Sequence, residues 1–403
     1  MSEPLLLTFN PGSSTIKYGL FRVTGTSPIR IGSGSIDFRS APLSLNISNG
    51  GEAVRVPLRA PLTEDLHAVI DETLDWFKDH FSLSDFTLAG HRVVHGGDRF
   101  KGPVAIDDYT LAAIEELVPL APLHQPQSVR LIRAIRTLRP HLHQTASFDT
   151  AFHQGQPDLV RRFAIARRLF DVGIKRYGFH GLSYRFIASQ LASLFPALAR
   201  GKIVAAHLGS GASLCALEGG ASRDTSMGFS TLDGVPMATR CGALDAGVVL
   251  HLLGQRQRSL AEVEALLYHE SGLLGVSGIS ADSRELLASE APQAREALDL
   301  FAFRIAGEVA RLATSMGGLD AVVFTAGIGE HQPAIRAAVC ERLAWLGVRI
   351  DAPSNARNAR VISDTTSKVD VLVIPTDEEQ VIAQEAVSVL DGQRLAKGSG
   401  GAQ

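Results

Sequence analysis

The chain has 403 residues, 45% hydrophobic and 20% charged, a composition that supports two or three domains with buried cores. A formal net charge of −3, with no run of lysines or arginines, leaves no basic surface of the size nucleic acid requires and no membrane-surface helix. No apolar run has membrane-spanning length and no signal-like segment opens the sequence. Cys215, Cys241 and Cys340 are too scattered for a disulfide framework or zinc ligands, so the expectation is a cytoplasmic protein whose partners are small molecules and a second copy of itself.

Residues 6–9 and 16–21 read as two strands around a tight turn, flanked by Asn10 and Lys17. Gly12 lets the backbone approach an anion, Ser13, Ser14 and Thr15 offer hydroxyls, and Lys17 supplies a point charge; an ordinary polar hairpin has the same look. More strand-like pieces continue to about Pro57, including residues 31–36. A helix then follows, capped by Thr63, with Glu64 and Asp65 in its first turn and Leu66, Val69, Ile70, Leu74 and Phe77 along one face. Strands alternating with helices from there on make this an α/β chain.

In residues 90–98, Arg92 stands among glycines, apolar residues, His91 and His95, with no obvious acidic partner beside it. A charge in that setting is either held in a structural salt bridge or aimed at a ligand. Pro122 and Leu123 lead into a helix with Pro126 in its first turn and Val129, Ile132, Ile135 and Leu138 on one face. The strand 145–148 delivers Asp149 to its carboxyl end, where ligands gather in open α/β sheets; a helix N-cap is the other reading. His180, between Gly178 and Gly181 and next to Phe179, precedes a helix capped by Ser183. The glycines favour close approach of a ligand to its ring over a plain core histidine.

Residues 203–217 repeat the first hairpin: an apolar strand, His207, the turn Gly209-Ser210-Gly211 and a second apolar strand. Asn10 aligns with His207 and Gly12 with Gly209, half a chain apart, which points to two related domains. Residues 224–242 form a long loop bearing Arg240, a second candidate anion clamp. Asp282, Ser283 and Arg284 open a helix, and a long amphipathic helix buries Leu298, Phe301, Ile305, Val309 and Leu312. The strand 321–325 runs into a Gly-x-Gly turn before a helix, a weak nucleotide signature, and the strand 371–374 leads to Glu378 at a helix N-terminus. Residues 397–403 read as a disordered Gly/Ser-rich tail.

The motifs Asn-Pro-Gly-Ser-Ser, Gly-His-Arg-Val-Val-His-Gly-Gly, Phe-Asp-Thr-Ala-Phe-His, Tyr-Gly-Phe-His-Gly, His-Leu-Gly-x-Gly, Met-x-Thr-Arg-x-Gly, Gly-Ile-Gly-Glu and Pro-Thr-x-Glu-Glu occur in this order along nearly the whole chain. Together they resemble the acetate kinase family, in the superfamily of acetate and sugar kinases, heat-shock chaperone ATPases and actin. The resemblance implies two ribonuclease-H-like α/β domains of duplicated topology flanking a nucleotide cleft, with residues 1–150 completed by 376–396, residues 151–375 as the nucleotide-binding domain, and a homodimer. It implies direct, reversible transfer of the γ-phosphoryl group of ATP to acetate, with Mg²⁺ or Mn²⁺. By motif position, Arg92 would hold the carboxylate, Asp149 orient or activate it, His180 and Arg240 stabilise the transferring group, Asn10 and Glu378 serve the metal, and Lys17 the phosphates. His207, Leu208, Gly209, Ser210 and Gly211 would form the second phosphate loop. Asp282, Ser283 and Arg284, with Gly327, Ile328, Gly329, Glu330 and His331, would form the adenosine pocket, and Val94, Leu123, Phe179 and Thr231 the acyl pocket. Two arginines and a histidine suit the charge of a trigonal phosphoryl group.

The sequence departs from the family's usual residues at Ser210, Ser283, His331 and Asp377, which bear on the nucleotide, and at Thr231, where proline is common, which bears on the acyl chain. The alternatives are a propionate or butyrate kinase of the same family and, more remotely, an actin-like or chaperone-like ATPase. Arg92, His180 and Arg240 argue against the last, because hydrolysis alone needs no carboxylate clamp.

Overall fold

The computed structural model describes residues 4–12, 15–38, 42–49, 52–61, 66–80 and 86–399, so the expected hydroxyl donors Ser13 and Ser14 and the helix start at Thr63, Glu64 and Asp65 lie outside the described residues. The chain divides into two compact units, Met1–Phe152 with Asp377–Gln403, and His153–Thr376.

The first unit holds strands β1 (Leu5–Pro11), β2 (Thr15–Thr24), β3 (Ser27–Asp37), β4 (Ser44–Asn49), β5 (Glu52–Pro57), β6 (Phe86–Val93), β7 (Val104–Ala105) and β8 (His143–Phe148), in the order β5-β4-β3-β2-β1-β6-β8-β7. All seven residues of β1 are buried, which is why it reads as a continuous apolar run rather than an alternating one. Successive side chains still point to opposite faces. Leu7 and Phe9 pack with Val69, Ile70, Leu74 and Phe77 of the helix His67–His80 and with Leu131 and Ile135 of the helix Gln125–Leu138. Leu6 packs the other way, with Phe21 and Leu88, against Ala383, Ala386 and Val387 of the final helix, Glu378–Ser399. That helix is capped by Asp377, whose side chain accepts from the Gln380 N–H, and it carries Glu378 and Glu379 in its first turn, where the helix dipole favours negative charge. It extends three residues into the stretch read as a disordered tail; residues 400–403 lie outside the described residues.

The second unit is built on β9 (Lys202–Leu208), β10 (Ala212–Glu218), β11 (Ala221–Thr225), β12 (Ala321–Thr325) and β13 (Asp370–Val373), in the order β11-β10-β9-β12-β13. This repeats β3-β2-β1-β6-β8 of the first unit. In both, the first three strands form an antiparallel meander and the first is parallel to the fourth, which is parallel to the fifth. The duplicated ribonuclease-H-like topology is thus as the sequence implies. Asn10 pairs with Lys17 one step before the last pair of the first hairpin, and His207 pairs with Ser213 one step before the last pair of the second. The two residues aligned by sequence therefore hold equivalent positions.

Gly34 on β3 sits where an added Cβ would overlap the Asn46 carbonyl oxygen and the Tyr18 hydroxyl, which donates to that same carbonyl at 2.7 Å. Gly34→Ala is expected to destabilise the first unit by about 2–4 kcal/mol through overpacking, read as a lower urea midpoint. Gly25, at φ +61° with nothing near its Cβ position, is the control, and Gly25→Asn should move the midpoint by less than about 0.5 kcal/mol.

Candidate active site

Three adjacent strands of the first unit, β1, β6 and β8, end in or beside Asn10, Arg92 and Asp149, at the carboxyl edge where parallel sheets collect ligands. Arg92 does have an acidic partner, contrary to its sequence surroundings. Its Nε donates to Asp149 Oδ1 at 3.0 Å and its Nη2 to Asp149 Oδ2 at 2.6 Å, while Nη1 donates to Asn10 Oδ1 at 3.1 Å and the Pro11 carbonyl at 3.3 Å. Asp149, the first residue of a 3₁₀ turn after β8, is 1% exposed. Burial opposes the charge on Arg92, but Asp149, Glu378 and Glu379 more than offset this and raise its pKa.

Asn10 continues the network, its Nδ2 donating to Glu378 Oε2 at 2.8 Å and Glu379 Oε1 at 2.9 Å. Burial and the neighbouring Glu378 charge raise the pKa of Glu379, with Asn10 and Lys17 pulling it the other way. Lys17 is exposed on β2, opposite Asn10. Two carboxylates crowded around one amide form a hard-oxygen donor set whose mutual repulsion a divalent cation would relieve, so the residues present suit such an ion. Glu379 was missed in the sequence, although it follows Glu378 directly.

In the second unit, His180 adopts the left-handed conformation at φ +56°, a costly choice for a residue with a side chain and one that gathers at functional sites. It precedes the helix Gly181–Leu194 without capping it through its side chain. Ser183 is not the expected cap either, since it is buried as the third residue of the helix and its hydroxyl bonds His207 Nδ1 at 2.9 Å. The His180 ring stacks on His207 at 4.2 Å with an interplanar angle of 17°, and its Nδ1 meets Ser213 Oγ at 2.8 Å. A Cβ at Gly211 would lie 3.3 Å from His180 Nε2 and 3.9 Å from Arg240 Nη1, so the imidazole and the guanidinium both face the Gly209–Gly211 turn. That turn is closed by the Gly209 N–H donating to Gly211 O at 3.0 Å and leaves Ser210 exposed. Arg240 Nη1 donates to the Thr231 carbonyl at 3.2 Å. The arrangement suits an anion.

The Gly-x-Gly segment is not a turn. β12 runs directly into the helix Ala326–His331, which takes up both Gly327 and Gly329, because Ala326 at φ +64° makes the bend that glycine was expected to make. Ile328 is buried, Glu330 Oε1 accepts from the Ala326 and Thr376 N–H groups at 2.8 and 3.1 Å, and His331 is exposed. Arg336, fully buried, donates to the Gly329 and Glu330 carbonyls and fixes the end of this helix; nothing in its sequence surroundings marks it. Asp282 accepts from the Arg284 N–H at 2.9 Å as the cap of the helix Ser283–Ala288 and pairs with the exposed Arg284 side chain. Ser283 is buried and accepts from Gln332 Nε2 at 2.7 Å.

Of the expected acyl-pocket residues, Val94 and Leu123 lie in the first unit and Phe179 and Thr231 in the second. Val94 and Phe179 are buried, Thr231 is half-buried and Leu123 is 42% exposed. Phe179 is anchored through its carbonyl by His153 Nε2 at 3.0 Å, and burial lowers the pKa of His153 to about 4, so the ring stays neutral at ordinary pH.

Residues 5–384 match the model of the Acetokinase family. The chain is 43% identical over 400 residues to the acetate kinase of Methylocella silvestris, covering 97% of this chain and 99% of that protein. Among solved structures it is similar to a propionate kinase from Francisella tularensis, with a TM-score of 0.88 and 33% identity over 96% of this chain and all of that one. It is also similar to Porphyromonas gingivalis acetate kinase, with a TM-score of 0.85 and 34% identity at the same coverage.

Arg92→Ala leaves the buried Asp149 carboxylate without its guanidinium and is expected to cost about 3–5 kcal/mol of stability. Arg92→Met combined with Asp149→Leu should recover at least half of that loss, because a buried pair replaced by apolar groups leaves no stranded charge. Urea denaturation of the two variants measures both effects. An Arg92→Ala midpoint equal to wild type would show that the pair carries no stability.

Proposed function

Because the chain belongs to the acetokinase family, we propose that it is an ATP-dependent kinase that transfers the γ-phosphoryl group reversibly to acetate, giving acetyl phosphate and ADP. The observation that carries this reading is the Arg92–Asp149–Asn10 network. A machine that only hydrolyses ATP has no need of a guanidinium held rigid at a strand end. Nε and one Nη2 hydrogen go to Asp149 and both Nη1 hydrogens to Asn10 and Pro11, so the other Nη2 hydrogen is the one assigned to the acetate carboxylate.

An acetate oxygen forms its bond to the γ-phosphorus as the bond from phosphorus to the bridging oxygen breaks, and ADP leaves with that electron pair. No proton transfer is required. His180 and Arg240 donate to the equatorial oxygens, and Lys17 and the Gly209–Gly211 backbone hold the remaining phosphates. Asn10, Glu378 and Glu379 would hold Mg²⁺, which when bound neutralises phosphate charge. Asp282–Arg284 and Gly327–His331 are assigned to the adenosine, with Ser283 and Gln332 in place of a larger apolar contact.

We also propose a cytoplasmic homodimer. Among the described residues no helix is long and apolar enough to cross a membrane. The helix Ala246–Gly254 is strongly apolar yet buries none of its residues, and Leu250 and Leu260 are 70% and 72% exposed, a surface that a second copy would cover. Sedimentation should give twice the 43.0 kDa chain mass, and Leu250→Glu should shift it toward monomer; a monomeric wild type would refute the dimer.

A hydroxamate assay with acetate, propionate and butyrate, each with ATP and Mg²⁺, tests the reaction and its acyl choice. One methylene in an apolar pocket is worth roughly 1–3 kcal/mol, so acetate should be preferred with propionate within about a hundredfold in kcat/KM. Thr231→Pro should change that ratio, and Arg240→Ala should lower turnover by at least about a hundredfold. A wild type that prefers butyrate, or that forms no acyl phosphate, would overturn the assignment.

A further inference from the structure

His180 holds a left-handed backbone at φ +56°, and such a conformation persists only where its surroundings over-determine it. The peptide group that enters it is held at the Phe179 carbonyl by His153, a buried histidine that the reaction as described does not use. A carbonyl only accepts, so Nε2 of His153 carries the proton at that 3.0 Å contact. Burial keeps the ring neutral, which leaves Nδ1 with a lone pair, and the Ser222 hydroxyl at 2.8 Å donates to it. Gln156 Nε2 donates to Ser222 Oγ at 2.9 Å in turn, and the Gln156 N–H donates to the His153 carbonyl at 3.1 Å. Ser222 and Gln156 are buried as well, so a fixed partner at each ring nitrogen sets the tautomer.

We propose that His153 is a positioning residue, which sets the plane of the Phe179–His180 peptide through its Nε2–H and so aims the His180 ring at the Gly209–Gly211 turn. This rests on the phosphoryl-transfer reading above. The φ of His180 is the rotation directly after that peptide, so the direction of the Phe179 carbonyl decides where the His180 side chain starts. Close packing supports the hydrogen bond. Gly178, at φ +80°, lies so near the imidazole that an added Cβ would come within 2.7 Å of His153 Cγ and Cδ2 and of Thr225 Cγ2. The Tyr177 and Gly178 N–H groups both donate to the Gly228 carbonyl, at 2.9 and 3.4 Å, which pins the approach to the same peptide. On the far side, the His180 carbonyl accepts from the Tyr184 N–H at 3.1 Å as the next helix begins. With both ends held, His180 Nε2 lies 3.3 Å from where a Cβ of Gly211 would stand. A shift of the peptide moves that donor off the transferring group, and a misplacement of about 1 Å can cost about a hundredfold in rate.

Steady-state kinetics of His153→Leu and His153→Gln test the positioning role. Leucine fills most of the space but cannot donate, whereas glutamine can bring an amide N–H to the Phe179 carbonyl. The expected result is kcat down about tenfold in His153→Leu with KM for ATP within about twofold, and kcat within about threefold of wild type in His153→Gln. A wild-type kcat in His153→Leu, a loss carried by the KM for ATP instead, or a glutamine variant no better than the leucine one would overturn the proposal. If His153→Leu does not fold, the tautomer in the wild-type protein decides. Proton–nitrogen NMR at neutral pH should show His153 protonated at Nε2 alone, and a proton at Nδ1 overturns the role. His180→Ala separates the two levels: full activity there refutes the phosphoryl role itself, whereas an inactive His180→Ala beside a normal His153→Leu refutes only the positioning.

Discussion

A guanidinium buried at the end of a parallel strand must be neutralised, and most of the first unit's functional edge is arranged by that requirement. Arg92 takes both oxygens of Asp149, then Asn10, whose amide in turn grips Glu378 and Glu379. The cluster unites the ends of β1, β6 and β8 with the first turn of the final helix, which ties residues more than 360 positions apart in sequence. Moving any one of these elements strands a charge in a site where burial makes that costly.

The second unit gathers donor groups instead: a stacked histidine pair and the Arg240 guanidinium stand at its Gly209–Gly211 turn. Strain at His180 and a cluster of buried hydroxyls at Ser183, Ser213 and Tyr184 hold the rings in place. The energy stored there is supported by β9, which is buried along most of its length and paired on both sides.

Both units use one topology for these different tasks. Equivalent positions on the central hairpin carry Asn10 in one and His207 in the other, so the same scaffold presents an amide at one strand end and an imidazole at the other. The acetokinase chains to which this one is similar share that framework along nearly their whole length.

The sequence by itself determined whatever rests on neighbouring residues. Apolar runs and glycine turns marked the duplicated hairpins, and 3.6-residue periodicity marked the helices Gln125–Leu138 and Pro292–Met316. The order of its motifs was enough to name the family. Pairings between distant residues were not legible. Arg92 looked unpartnered because Asp149 is 57 residues away, and Ser183 looked like a cap because its true partner, His207, lies on a strand 24 residues on. The bend before the helix Ala326–His331 fell on an alanine, since backbone strain is imposed by the packing around it rather than announced by residue type. Local propensity acts between neighbours along the chain, but strand order and register decide which charges and hydroxyls meet, and only the tertiary structure settles those.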